Sequence, residues 1–415
     1  MSDGVIKRGV GTGVDLGKRA CDRARSVVTM TVDVFEKWLF VQKRASYGLA
    51  VARILLGVMF AGALLTNFGS RHFAFGEGVA WSGQVEFPSS DFAVMWPFSI
   101  FHDAGTNPTL LTFLFLLTIA LAVLFSLGYR TRLVMIPLFV LWVGYVESNS
   151  YLSDQSDNLT RMAMIAIFFA APADRWSLDS LRRKKFADMT ERNVLLRWWR
   201  FQRVLPQWAT NMSHNLAIAV LVAQICFIYA SGGFFKDQGK PWYGGWAVYD
   251  PIHVERFGTW PELSHLVTVW GPGVAIATIT TVLVQALFPV MLLRRGTRIF
   301  ALAVIFAFHL GIAVLMGLPW FSLAMIALDA VLIRDVTWQR VPHAFRRSWR
   351  VAGGHSPEPD VAEGVVEKPA GTTAATSTAK AADGAAEGAE HPDREVEIPD
   401  YVTVPAGSTD PAKAV

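Results

Sequence analysis

Eight apolar stretches run between Tyr47 and Arg334, at 47–67, 109–127, 133–146, 158–173, 215–235, 273–293, 299–316 and 318–333. The hydrocarbon core of a bilayer is about 30 Å thick, so a crossing helix needs about 20 mostly apolar residues, with about 17 as a lower range. The pattern predicts an all-α integral membrane protein, a bundle of about eight transmembrane helices. Two stretches, 133–146 and 158–173, reach span length only by taking in Glu147, Asn149 and Asp174. Polar groups drawn into a membrane domain are costly and usually face a protein interior or a cavity. A polar pocket near one membrane face is therefore expected.

Composition agrees with this class. Of the 415 residues, 52% are hydrophobic and 17% charged, where soluble chains carry about 25% charged. The net charge of +4 is unevenly spread: basic residues flank the apolar stretches, whereas the tail after Val351 is acidic, with Glu358, Asp360, Glu363, Glu367, Glu387 and Glu390. That distribution fits a lipid bilayer as partner and excludes nucleic acid as the reason for the basic balance. The two cysteines, Cys21 and Cys226, fall in different environments, one before the first stretch and one inside the fifth, so no structural disulfide is expected. Residues 1–26 are polar and basic, without the apolar core of a cleaved signal.

Lys and Arg alternate from loop to loop. They are dense before Tyr47, at Arg130 and Arg132, through Arg182–Arg203, at Arg294, Arg295 and Arg298, and from Arg334 onward. They are sparse in 68–108, 147–157 and 236–272, and absent around Gly317. Cytoplasmic loops carry the excess of Lys and Arg, so the chain is expected in the cell membrane, multi-pass, with both termini cytoplasmic. An even number of spans gives the same answer.

Three regions follow. Residues 1–46 form a cytoplasmic basic segment, 47–334 the transmembrane domain, and 335–415 a cytoplasmic tail. Val27, Met30, Val34, Trp38 and Val41 repeat at steps of three and four, with Asp33, Glu36 and Lys37 between them, which predicts an amphipathic helix lying on the cytoplasmic face. Residues 190–208 mix Trp198, Trp199, Phe201 and Trp208 with arginines, a composition suited to the headgroup layer. The tail from about 355 is rich in Ala, Gly, Pro, Thr and Glu and is expected to be disordered.

The unusual polar residues gather on the expected outer side. Asp157 and Arg161 lie one helical turn apart and are expected to pair; they are either a capped helix start with a structural ion pair, Asp157 or Asn158 serving as N-cap, or a functional charge pair. Lys236 follows Tyr229-Ala230-Ser231-Gly232-Gly233 at the end of the fifth stretch. It is either an interfacial lysine reaching the headgroups or a desolvated, neutral amine able to act as a base. Arg53, Gln224, Gln285, His309 and Asp329 are single polar residues inside stretches. His309 is either a helix–helix hydrogen-bonding group or a ligand contact. No metal-ligand spacing, nucleotide loop, nucleophile elbow or inverted repeat is present, so no metal is expected.

Several motifs, in their order along the chain, resemble the HTTM (horizontally transferred transmembrane) domain, the membrane domain shared with vitamin K-dependent gamma-carboxylase. They are Ala52-Arg53-Ile54-Leu55-Leu56-Gly57, Asn158-Leu159-Thr160-Arg161 and Asp174-Arg175-Trp176-Ser177-Leu178-Asp179. The most specific part is Tyr229, Gly233, Lys236 and Trp242, then Gly245-Trp246-Ala247-Val248-Tyr249. The resemblance covers most of 45–334. It implies a reduced quinone as cofactor, whose reaction with oxygen yields a base that removes a gamma proton from a peptide glutamate before carbon dioxide adds. A neutral lysine deprotonates the hydroquinone, and Lys236 is at that lysine's place. Two departures are visible. Asn149 stands before Ser150-Tyr151-Leu152 where the carboxylase has a histidine, and an amide cannot titrate near neutral pH. A low-complexity tail stands where the carboxylase has a folded domain.

The expected function is therefore an HTTM-type enzyme acting on a quinone, lipid or small peptide at the outer face. Lys236, Asn149, Asp157 and Arg161 are the catalytic candidates, and Trp242, Tyr229, Tyr151, His309 and Arg53 the substrate-binding ones. A transporter, suggested by Arg53, Gln285 and His309, and a non-catalytic partner recruiting through its tail are the alternatives.

Overall fold

The computed structural model describes residues 23, 25–83, 90–186, 193, 196–197 and 205–341, all within one unit, Met1–Pro357. Cys21, nearly all of 190–204 and the tail after Val341, with the expectations attached to them, lie outside the described residues. We label the long helices α1 Ser46–Thr66, α2 Pro108–Leu127, α3 Thr131–Glu147, α4 Gln155–Phe169, α5 Gln207–Asp237, α6 Gly271–Met291, α7 Arg295–Leu315 and α8 Pro319–Asp329, the last continued by a 3-10 turn Ala330–Leu332. Every apolar stretch falls on one of them, and no strand occurs among the described residues.

Five helices, α1, α2, α5, α6 and α7, are long and apolar enough to cross a membrane. α3, α4 and α8 have 17, 15 and 11 residues. The reason lies in the polar residues that the sequence pattern draws into the spans. Residues 148–154 make a turn rather than extend either helix, and Asp154 closes the N-terminus of α4 with a reciprocal capping box to Asp157. The expected N-cap at Asp157 or Asn158 is thus corrected to Asp154, one turn earlier.

Each helix packs on the next in chain order, α8 packs on α1, and α8 also touches α4. α1 has the most buried span. Its glycines let neighbours approach: a Cβ at Gly57 would stand 2.6 Å from Ser126 Cβ of α2, and one at Gly62 would stand 2.0 Å from the Trp320 ring of α8. α6 and α7 instead expose apolar rows, Ile276, Ile279, Leu283, Leu287 and Val290 on one and Ile299, Phe300, Phe306, Leu310 and Val314 on the other. Contiguous apolar faces of this kind suit contact with lipid.

The end carrying the basic turns is stitched by polar side chains. Arg53 is fully buried and donates to the carbonyls of Pro172, Arg175 and Trp176. Asp179 accepts from the backbone N–H groups of Arg130 and Thr131 and from the Thr131 hydroxyl, which caps α3 from a distant part of the chain. Gly128 between α2 and α3 is left-handed (φ +69°), and a side chain there would collide with Ser177 Cβ at 2.4 Å. Asp174 pairs with Lys43 and Arg183. The Arg53 motif and the Asp174–Asp179 motif, far apart in sequence, therefore form one joint.

Residues 25–36 are helical, with Val27, Met30 and Val34 exposed, and the next turn, Lys37–Val41, is a π-helix. Two asparagines of α5 take the carbonyls of this turn and of the residue after it. Asn215 Nδ2 donates to Trp38, Leu39 and Gln42, and Asn211 Nδ2 to Phe40.

Candidate functional site

The end opposite the basic joint holds two groups of polar side chains. The first surrounds Lys236 in the last turn of α5. Gly233 lets α5 and α6 meet, since a Cβ there would lie 2.4 Å from Ala286 N. The adjacent Gln285 is brought up to Lys236, whose Nζ donates to Gln285 Oε1 at 2.9 Å. The ammonium position is also 5.4 Å from the Trp242 ring centroid, within cation–π range. Trp242 rides on the short helix Lys240–Tyr243 that folds back after α5. No carboxylate among the described residues comes within ion-pair distance of Lys236.

Two turns earlier on α5 is a second layer of the same group. The Tyr229 hydroxyl donates to Asp329 Oδ2 of α8 at 2.7 Å and lies 3.1 Å from His309 Nε2 of α7. Because the tyrosine proton goes to the carboxylate, the histidine Nε2 carries the proton of the other bond. All three side chains are buried. His309 Nδ1 and Asp329 Oδ1 have no partner among the described residues. His309 is thus a helix–helix hydrogen-bonding group, and its ring packs on Phe321 with centroids 5.8 Å apart.

The second group surrounds the turn between α3 and α4. Glu147, the last residue of α3, pairs with Arg161. The expected Asp157–Arg161 pair is therefore corrected: Arg161 reaches back across the turn to Glu147, while Asp157 accepts from the Asp154 backbone N–H at 2.8 Å as part of the capping box. Asn149 is buried, and its amide is used at both ends, donating to the Ala74 carbonyl at 2.8 Å and accepting from Tyr151 N. It ties the turn to the short helix Arg71–Phe75. A cavity of about 120 Å³ lies between this turn, the C-terminal ends of α1 and α3 and the start of α8.

The candidates thus divide. Lys236, Trp242, Tyr229 and His309 come together, joined by Gln285 and Asp329, which the sequence marked only as polar residues inside apolar stretches. Asn149, Asp157 and Arg161 form the other group, and Phe321, which lines the cavity and packs on His309, stands between the two. Tyr151 is exposed and stacks loosely near Trp81, 6.4 Å between centroids. Arg53 sits at the basic end, two turns into α1, away from both groups. The aromatic residues of the cavity were not legible as a site, because from sequence alone Trp142, Tyr145 and Trp320 are ordinary apolar members of their spans.

Outside the spans, Asp174 is the titratable group whose surroundings are most informative. Burial alone would raise its carboxyl, but Lys43 and Arg183 outweigh it and hold the group below its ordinary 3.8. Comparison with protein-family models, with curated proteins and with solved structures finds no match to this chain.

Proposed function

We propose that this protein is a membrane enzyme of the HTTM type in which Lys236 serves as a general base toward a lipophilic substrate with an acidic hydroxyl, such as a reduced quinone. The observation that carries the reading is the environment of its amine. Lys236 is held by a neutral amide, Gln285, and an aromatic face, Trp242, with no counter-ion among the described residues. A carboxylate partner would fix the ammonium form; this one lacks it, which leaves the amine free to take a proton. Nζ would accept the hydroxyl proton, and the ring of Trp242 would flank the aromatic substrate.

Under this reading eight helices cross the cell membrane, both termini are cytoplasmic, and Lys236 opens to the outer face. The chemistry stops at deprotonation, because Asn149, where the carboxylase has a histidine, is committed to holding its turn. A second reading, a proton-coupled transporter, is favoured by the buried Tyr229–His309–Asp329 chain with its two unpartnered acceptors.

The test is to purify the protein in mild detergent, identify co-extracted quinones by mass spectrometry, and assay quinol-dependent turnover. Lys236→Ala should abolish turnover while insertion is unchanged, and Lys236→Arg should not restore it, because guanidinium does not deprotonate in proteins. Parental turnover in Lys236→Arg would refute the base role.

A further inference from the structure

The cavity beside the α3–α4 turn has a chemistry that the Lys236 reading does not use. Its walls include five aromatic side chains, Phe75, Trp142, Tyr145, Trp320 and Phe321, and its polar side is made by Asn67 and by the carboxylates at the start of α4. The aromatic rings come from three different elements, the short helix Arg71–Phe75, α3 and α8, and neighbouring rings are packed together, with centroids 4.6 Å apart for Phe75 and Tyr145 and 5.3 Å for Trp142 and Tyr145. Trp320 closes another side by lying over Gly62, where any Cβ would displace it, and its indole N–H is anchored on Thr66 Oγ1 at 3.0 Å.

One carboxylate oxygen of Asp157 is open. Arg161, the cation nearest in sequence, is spent on Glu147, and Asp157 forms no ion pair among the described residues. One oxygen of Asp157 holds the Asp154 N–H. The other has no hydrogen-bond partner among the described residues. The Tyr145 oxygen accepts from Asn67 Nδ2 at 3.1 Å, and the buried Trp142 N–H has no partner among the described residues. The cavity therefore combines ring faces, a carboxylate oxygen with no hydrogen-bond partner among the described residues, and in its wall an indole N–H with none.

We propose that this cavity binds a substituted ammonium group, the cationic end of a choline- or ethanolamine-type ligand. Ring faces and a carboxylate together attract an alkylated cation, which is more weakly hydrated than a bare ammonium and so less costly to desolvate, and aromatic cages bind quaternary ammonium in this way. Size agrees: a cavity of roughly 150 Å³ takes benzene, and a space of about 120 Å³ suits a trimethylammonium group. Free choline and a lipid headgroup share this chemistry. The inference does not rest on Lys236 acting as a base.

The experiment is isothermal titration of the full chain, purified in a maltoside detergent, with choline, with tetramethylammonium and with 3,3-dimethylbutan-1-ol, the uncharged isostere of choline. Both cations are expected to bind and the isostere to bind at least about tenfold more weakly. Asp157→Asn can still cap α4 and is expected to lose about tenfold in choline affinity, as is Trp320→Leu at the half-exposed wall. Repeating the choline titration in nanodiscs of phosphatidylcholine and of phosphatidylglycerol separates the sources. Weaker apparent binding in phosphatidylcholine alone assigns a lipid headgroup, and equal binding in both assigns a free cation. Isostere binding equal to choline, no binding of either cation, or unchanged affinity in Asp157→Asn would overturn the proposal.

Discussion

Tyr229→Phe removes one oxygen atom and tests the hydrogen-bonded layer beneath Lys236. The ring contact with Phe288, 4.6 Å between centroids, is kept, so no cavity opens and the cost is electrostatic alone. Two bonds are lost, to Asp329 and to His309. Each of those partners already has one unsatisfied buried atom, so neither has another acceptor or donor to turn to among the described residues. In water-soluble proteins an orphaned buried group costs about 1–3 kcal/mol. In membranes a side-chain bond averages only about 0.6 kcal/mol with a maximum near 1.7, because separated helices also find partners. Since the three residues come from α5, α7 and α8, the membrane figure governs, and the loss should fall between about 1 and 3 kcal/mol. Unfolding in mixed micelles measures it. Asp329→Leu in the Tyr229→Phe background should cost less than the single changes added, since the stranded carboxylate is then gone. A Tyr229→Phe protein within about 0.3 kcal/mol of the parent, or strict additivity in the cycle, would refute the layer as described.

Other perturbations follow from the same geometry. Lys236→Arg should be as inactive as Lys236→Ala in the quinol assay described above. Gly62→Val forces a side chain into the Trp320 ring and should cost about 1–3 kcal/mol of stability, read by thermal unfolding in detergent, while also weakening choline binding. Asp174 is held below its ordinary 3.8 when folded, so its pairs stabilise the protein above about pH 4, and this contribution is lost as pH falls through the lower folded value. The stability gap between the parent and Asp174→Asn, measured by unfolding from about pH 5 downward, should therefore close on acidification. A cysteine replacing the exposed Leu181, in a protein freed of its native cysteines, should react with an impermeant reagent only after the cells are permeabilised; labelling on intact cells would invert the topology.

Helix positions were legible in one dimension because burial in lipid is a property of each segment by itself. A stretch such as 273–293 needs no partner to be apolar, and its helix, Gly271–Met291, lies where the stretch does. Motif residues were legible too, but their roles were not. Arg53 and Asp179 stood out as polar residues, yet only packing shows that one takes the carbonyls after α4 and the other caps α3. Charge pairing failed for the same reason. Spacing of four residues made Asp157 the natural partner of Arg161, but the turn at 148–154 folds Glu147 back within closer reach. The layer of Tyr229, His309 and Asp329 and the aromatic cavity joined to it through Phe321 draw on helices far apart in the chain. No periodicity along the sequence relates them; their meeting depends on which faces of the bundle turn inward, and only the tertiary structure decides that.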